Sequence, residues 1–244
     1  MVVLELGDNQ FFQKIKGKLI VSCQALENEP LHGSEVMAKM AAAAEIGGAA
    51  GIRANGAGDI AAIKNKVSLP VIGLVKRDYP DSEVYITPTL KEIDELIEAG
   101  ADMIAMDATI RKRPNSESLE NLVHYAKKNN KLTMADISTY EEGIQAAKLG
   151  FDCVSTTMSG YTSHSVNQTG PDFLLIEKLA KILEIPVIGE GRISTPAEAQ
   201  TAIQSGAYAV VVGSAITRPQ IITQKYADAI SKEVNHDART KYSI

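Results

Sequence analysis

The sequence predicts an α/β protein built as a single (β/α)8 barrel, and three observations carry that prediction. Short continuous apolar runs alternate with longer amphipathic stretches about eight times along the chain. The passage from helix back to strand repeats a similar phrase: AGAD at 99–102, LGFD at 149–152 and SGAY at 205–208. The last two strands, within IPVIGEGRISTPAEAQTAIQSGAYAVVVGSAITRP at 185–219, each end in glycine. In eight-stranded barrels the loops after strands 7 and 8 commonly bind phosphate. Continuous apolar strands mark a parallel sheet covered on both faces, and eight such units close it. The competing architecture, an open doubly wound sheet, calls for a G-x-G-x-x-G turn after the first strand, and SCQALEN has none.

The elements follow in order. A short polar N-terminal segment, with an amphipathic helix over 9–15, leads to the first strand, KLIVSCQ. Ser34 reads as the N-cap of an Ala-rich helix that closes at Gly47-Gly48. AGIRANG is the second strand, 59–66 a short helix, and VIGLVKRDY the third strand, ending near Lys76. An insertion over 79–87 contains VYIT, a candidate extra strand. A helix from Thr89 to Ala99 turns Ile93, Leu96 and Ile97 to one face, and DMIAMDAT is the fourth strand. Ser116 reads as the start of the next helix, LTMADIS as strand five, and Thr139 as the cap of a helix ending at Gly150. FDCVSTT is strand six, followed by the long loop MSGYTSHSVNQTG and a helix over 171–183. The glycine-ended strands and a polar C-terminal tail complete one domain spanning 1–244.

Composition narrows the function. A chain of 244 residues with 45% hydrophobic and 23% charged residues affords a sizeable core. A net charge of -5 argues against nucleic acid or an anionic membrane as partner, and 5% aromatic content without Trp gives no base-stacking platform. No apolar run reaches the roughly 18 residues a membrane span needs, and residues 1–18 lack the apolar core of a signal peptide. Cys23 and Cys153 lie in separate apolar strands, which reads as two buried reduced thiols and a cytoplasmic protein.

In such a barrel, chemistry sits at the C-terminal ends of the strands. Those ends offer Gln24, Arg53 with Asn55, Lys76 with Arg77, Asp107, Asp136, Thr156 with Thr157, Glu190 and Gly213. Any one of them alone is equally a solvated rim residue. Lys76 follows an apolar run beside cationic neighbours, Arg77 or Arg53, and desolvation with like charge turns a lysine into a base near neutrality. Glu190, four strands on, faces it across the mouth. Two proton carriers on opposite faces suit epimerisation at a carbon next to a carbonyl. Gly191 and Gly213 free backbone amides to face an anion. The four histidines, His32, His124, His164 and His236, share no ligand spacing, so no metal is expected.

The segments SCQA, GIRANG, GLVKRDY, ITPT, ADMIAMDAT, MADIST, GFDCVSTTMSGYT, GEGRI and VVVGSAITRP, in this order, resemble the N-acylglucosamine-6-phosphate 2-epimerases, also called N-acetylmannosamine-6-phosphate 2-epimerases. The match runs over nearly the whole barrel. GLVKRDY, STTMSGYT and GEGRIS are its specific motifs, whereas VVVGSA is shared by many phosphate-binding barrels. The resemblance implies conversion of N-acetylmannosamine 6-phosphate to N-acetylglucosamine 6-phosphate, a step of bacterial sialic acid breakdown, without a cofactor. It implies Lys76 as the C2 base and Glu190 as the partner acid. Gln24, Arg53 and Asp136 match positions expected to bind the sugar, and Thr156 and Tyr161 are further candidate contacts. Phosphate contacts are expected from Gly191, Arg192, Gly213 and Ser214, with charge from Arg218. The C2 hydrogen is acidic only in the open-chain aldehyde, so the site must hold an extended molecule and stabilise an oxyanion, for which Arg53 is a candidate.

The competing functions are an FMN-dependent oxidoreductase, whose flavin phosphate the same loops would grip, another cofactor-free phosphosugar isomerase, and a non-catalytic sugar-phosphate sensor. The apolar positions of the last helix, from Ile221 to Ile230, fit either core packing or contact with a second copy in a homodimer.

Overall fold

A computed structural model describes residues 9–240. Most of the polar N-terminal segment (1–8) and the end of the tail (241–244) lie outside the described residues, as does the side chain of His236. In chain order the elements are α1 (Gln10–Ile15), β1 (Leu19–Cys23), α2 (Ser34–Ile46), β2 (Gly51–Asn55), α3 (Ala57–Lys64), β3 (Val71–Leu74), α4 (Leu90–Glu98), β4 (Met103–Asp107), α5 (Leu119–Lys128), β5 (Leu132–Asp136), α6 (Tyr140–Lys148), β6 (Cys153–Ser155), α7 (Phe173–Ala180), β7 (Val187–Gly189), α8 (Pro196–Gln204), β8 (Ala209–Val212), α9 (Ser214–Thr217) and α10 (Pro219–Thr240). Each strand pairs in parallel with the next, and β8 closes on β1 with Val210 opposite Leu19. The predicted barrel is therefore the observed one.

Strand residues divide by parity between two apolar layers. Ile20, Ile72, Met103, Met134, Ile188 and Val211 fill the barrel, while Val21, Ile52, Ile104, Ala135, Val154 and Val210 pack against the helices. Helix α1 closes the end away from the site. Phe12 and Ile15 are buried, Phe12 meets Tyr208 edge to face, and the Tyr208 hydroxyl donates to the Phe12 carbonyl at 3.1 Å. Three helices start from complete capping boxes, Thr89 with Glu92, Thr139 with Glu142 and Thr195 with Glu198.

Three local expectations are corrected. Gly33, at φ 127°, is the N-cap of α2, which releases the Ser34 hydroxyl to donate to Asp59 at 2.7 Å and tie α2 to α3. Ser118, not Ser116, caps α5, because a short 3-10 turn over Pro114–Ser116 comes first. VYIT is not a strand of the sheet. It returns antiparallel over the residues after β3 through an isolated bridge, Lys76 to Ile86, with Thr87 N donating to Val75 O at 2.8 Å. Ile86 O then accepts from Asp107 N at 3.1 Å, so the insertion is wedged at the mouth between β3 and β4.

Candidate active site

A cavity of about 450 Å³ opens at the C-terminal ends of the strands, within the range that holds a small polar metabolite. Gln24 beyond β1, Arg53 from β2, Lys76 beyond β3, Thr157 beyond β6 and Glu190 beyond β7 all reach its wall. Lys76 and Glu190 follow strands four apart in a ring of eight, and so stand on opposite sides. The Lys76 backbone is fixed by Asn55, whose Oδ1 accepts its N–H at 2.8 Å. The Lys76 ammonium makes no ion pair among the described residues.

Arg53 organises the floor. Its side chain is 1% exposed and donates through Nη1 and Nη2 to Asp136 at 3.0 and 2.5 Å, while Nη1 also lies 3.0 Å from Glu190 Oε2. A buried guanidinium demands such partners. Burial works against its charge, but Asp136 and Glu190 outweigh it and keep it protonated. Burial pushes the Lys76 pKa down, and Arg53 and Arg218 push the same way, against a partial pull from Glu190 and Asp136. Burial pushes the Glu190 pKa up; Arg53 opposes this and the Asp136 charge adds to it. The two groups thus move toward each other, Lys76 toward free amine and Glu190 toward free acid, as a proton-transfer pair requires. Gln24 Oε1 and Arg53 Nε are buried without a partner among the described residues, leaving polar capacity at the wall.

Directly after Glu190, Gly191 has φ 104° and Arg192 φ 55°, a left-handed pair in the loop that lines the cavity. Helical hydrogen bonding in α9 begins with Ile216 N to Gly213 O at 2.8 Å, which leaves the Ser214 and Ala215 amides at the wall. Arg218 and Lys225 add positive charge there. Among the described residues no three metal-ligating side chains converge.

Several expected residues sit otherwise than the sequence implied. Thr156 does not reach the cavity: its hydroxyl donates to Glu190 O at 2.8 Å and accepts from Glu190 N at 3.0 Å, bracing the backbone of that residue. Its neighbour Thr157 lines the cavity instead. Asp136 is fully enclosed and reaches the site through Arg53 and Thr157. Arg77 turns outward to Glu92 and to Glu95, so the cations acting on Lys76 are Arg53 and Arg218. The Arg192 guanidinium is spent on the loop after β6, donating to Ser159 O at 2.6 Å and Gly170 O at 2.7 Å and stacking on Tyr161 at 5.1 Å. Tyr161 stands at the rim, 56% exposed. Arg218 is already held by Glu29, at 2.8 Å to each carboxylate oxygen. Tyr85 and Lys225 line the cavity and were not singled out from the sequence. The inserted position of Tyr85 beside a strand-three lysine was its only local signal.

Comparison with known proteins bears on this arrangement. Residues 37–232 match the model of the NanE family, described as "Putative N-acetylmannosamine-6-phosphate epimerase". The chain belongs to the NanE family. A Clostridioides difficile relative named "Putative N-acetylmannosamine-6-phosphate 2-epimerase" is 58% identical over 91% of this chain and 99% of its own length. One of the same name from Caldanaerobacter subterraneus is 57% identical over 94% of this chain and 98% of its own. The solved structure of the N-acetylmannosamine-6-phosphate 2-epimerase from Clostridium perfringens superposes with a TM-score of 0.89 at 56% identity, covering 91% of this chain and 97% of that one. The NanE match takes in Arg53, Lys76, Asp136, Thr157, Glu190 and Arg218; Gln24 lies before it. The resemblance read from the motifs and the family are the same. Among the described residues no helix is long and apolar enough to cross a membrane.

Proposed function

We propose that the cavity interconverts N-acetylmannosamine 6-phosphate and N-acetylglucosamine 6-phosphate by removing the C2 proton and returning one to the opposite face. The observation that carries this is the pair of proton carriers on opposite walls, with pKa values displaced toward each other and a charged Arg53 beside them. With C1 an aldehyde, Lys76 takes the C2 proton and the electron pair passes to the C1 oxygen. Arg53 stabilises that oxyanion. When the C1–O double bond re-forms, the proton of Glu190 is delivered to C2 from the far side. Lys76 has gained a proton and Glu190 has lost one; exchange with solvent resets the pair, or the reverse reaction uses it as it stands. The amides around Gly191, Arg192, Gly213 and Ser214 receive the 6-phosphate, and Arg218, joined by Lys225, supplies charge. Gln24, Arg53 and Tyr161 are the candidate sugar contacts, and Asp136 acts from beneath. That remote phosphate binding holds C2 against Lys76. Family membership favours this over the flavin-dependent and non-catalytic alternatives.

The test follows C2 by proton NMR in deuterated water. Lys76→Met should still bind the phosphosugar but lose both epimerisation and deuterium exchange by about two to four decades, the range for loss of a general base. Near-normal turnover would remove Lys76 from the mechanism.

The protein is proposed to work as a homodimer in the cytoplasm. Tyr226 and Ile230 of α10 are 69% and 66% exposed, so core packing does not account for them and a second copy would cover them. Sedimentation as a monomer would refute the first point. Two buried free thiols, Cys23 and Cys153, support a reducing compartment.

A further inference from the structure

Thr157 Oγ1 has three neighbours at hydrogen-bond distance: Asp136 Oδ1 at 2.7 Å, Ser155 Oγ at 2.8 Å and Glu190 Oε2 at 3.0 Å. A hydroxyl has one proton to give and two lone pairs with which to accept. Asp136 is fully enclosed, its two oxygens each receive a bond from Arg53, and it is the nearest of the three. Ionised, it can only accept, so the Thr157 proton points at Asp136. The two remaining contacts then need donors. Ser155 supplies one. A proton on Glu190 Oε2 supplies the other, whereas an ionised Glu190 would set lone pair against lone pair at 3.0 Å. The charge count agrees. With Glu190 protonated, Arg53 and Asp136 neutralise each other where their side chains are 1% and 0% exposed. With Glu190 ionised, that buried trio carries an excess negative charge.

We infer that Thr157 is a positioning residue for Glu190: its hydroxyl accepts the Glu190 proton while donating its own to Asp136, and so holds the carboxyl in the acid form that returns a proton to C2. The last clause rests on the epimerase reading; the order of the hydrogen bonds does not. The charged groups facing Glu190 are Arg53 from β2, Lys76 beyond β3 and Asp136 from β5, with Arg218 acting on Lys76. Ser155 Oγ also lies 3.2 Å from Glu190 Oε2; with its own proton given to Thr157 it can only accept there, so the Glu190 proton is shared unequally between the two hydroxyls, Thr157 being the nearer. The motif STTMS shows two adjacent threonines, and the structure divides their labour, Thr156 to the Glu190 backbone and Thr157 to its carboxyl.

The test is an infrared difference titration of the full chain without substrate, following the protonated-carboxyl stretch that Glu190→Gln abolishes. Thr157→Val keeps the shape and removes all three hydrogen bonds of the hydroxyl. The midpoint of the band should then fall by about one pH unit, a roughly tenfold loss of proton affinity, and Thr157→Ser should restore it. In turnover, the acid limb of the kcat/KM profile should move the same way, since it reports the second proton on the Lys76–Glu190 pair. A midpoint that rises would mean that Thr157 donates to the Glu190 carboxylate. One that stays would make Thr157 a packing residue, and no Glu190 band in the parent would mean no shared proton. Each of these overturns the inference. If Thr157→Val does not fold, Thr157→Ala is read by the same criteria. Because the band needs no turnover, failure of the epimerase reading shows separately, as inactivity toward the phosphosugar with the titration intact.

Discussion

Asp136→Asn tests the buried charge cluster most directly. The substitution keeps the side-chain volume and removes the carboxylate charge that balances Arg53. Deleting one partner of a buried ion pair ordinarily costs about 3 to 5 kcal/mol. Here Glu190 Oε2 already lies 3.0 Å from Arg53 Nη1 and supplies a replacement counter-charge, so the low end, about 3 kcal/mol, is expected. For a chain of this length that lowers Tm by roughly 6 to 12 °C, taking about 2 to 4 °C per kcal/mol. The catalytic consequence is more specific. Once Glu190 alone balances Arg53 it is held ionised, and the acid is lost while Lys76 remains. Proton NMR in deuterated water should show C2 exchange within about tenfold of the parent and inversion slower by about two decades or more. Parallel loss of exchange and inversion would refute the reasoning, because Asp136 would then act on Lys76 or on the sugar itself.

Three further outcomes follow from separate parts of the molecule. Phe12→Ala should cost about 3 to 5 kcal/mol of stability with kcat/KM unchanged below the new Tm, since Phe12 is 1% exposed at the end of the barrel away from the site; calorimetry and steady-state kinetics decide it. Gly160→Ala places a Cβ 2.4 Å from Arg192 Nη1 at φ 76°, so the Arg192–Tyr161 stack should shift and KM rise about tenfold or more with a smaller change in kcat. Lys76→Met should melt above the parent at pH 7. The parent must fold with a partly desolvated ammonium, and because its folded pKa is lowered, the unfolded chain binds more protons between that value and the usual 10.5. The parent therefore gains stability through that window, and the gap between the two proteins should close as pH approaches 10.5.

The fold was legible because its signals are local. Threonine followed by glutamate three residues later starts α4, α6 and α8 as the sequence implies, since a capping box is satisfied within one turn. Ser34 and Ser116 misled for the opposite reason. Gly33 takes the cap through a backbone angle that no side chain announces, and the Ser34 hydroxyl is claimed by Asp59, 25 residues on. Rules for strand ends placed Lys76, Gln24 and Glu190 at the cavity, but they depend on a period of two. Cys153 faces the barrel and Val154 the helices, so counting on by two turns Thr157 inward and Thr156 outward, a distinction the sequence reading did not draw; the structure keeps it although β6 ends at Ser155 and a 3-10 turn over Thr156–Met158 follows.

The charge cluster was half legible, and its missing half was open to reasoning. An arginine inside the apolar run GIRAN cannot be buried as a free cation at any tolerable cost, so inward carboxylates must meet it from other strands. The C-terminal ends offered three such acids, Asp107, Asp136 and Glu190. Asp107 is taken by Arg111, four residues along the chain, a pairing short enough to have been read. That leaves Asp136 and Glu190 for one guanidinium. Two carboxylates sharing one fixed positive charge cannot both be ionised without excess charge in the barrel, and the more open of the two, Glu190, at 13% side-chain exposure against 0%, is the one able to take and release a proton. The acid in this site is thus selected by the arginine beneath it.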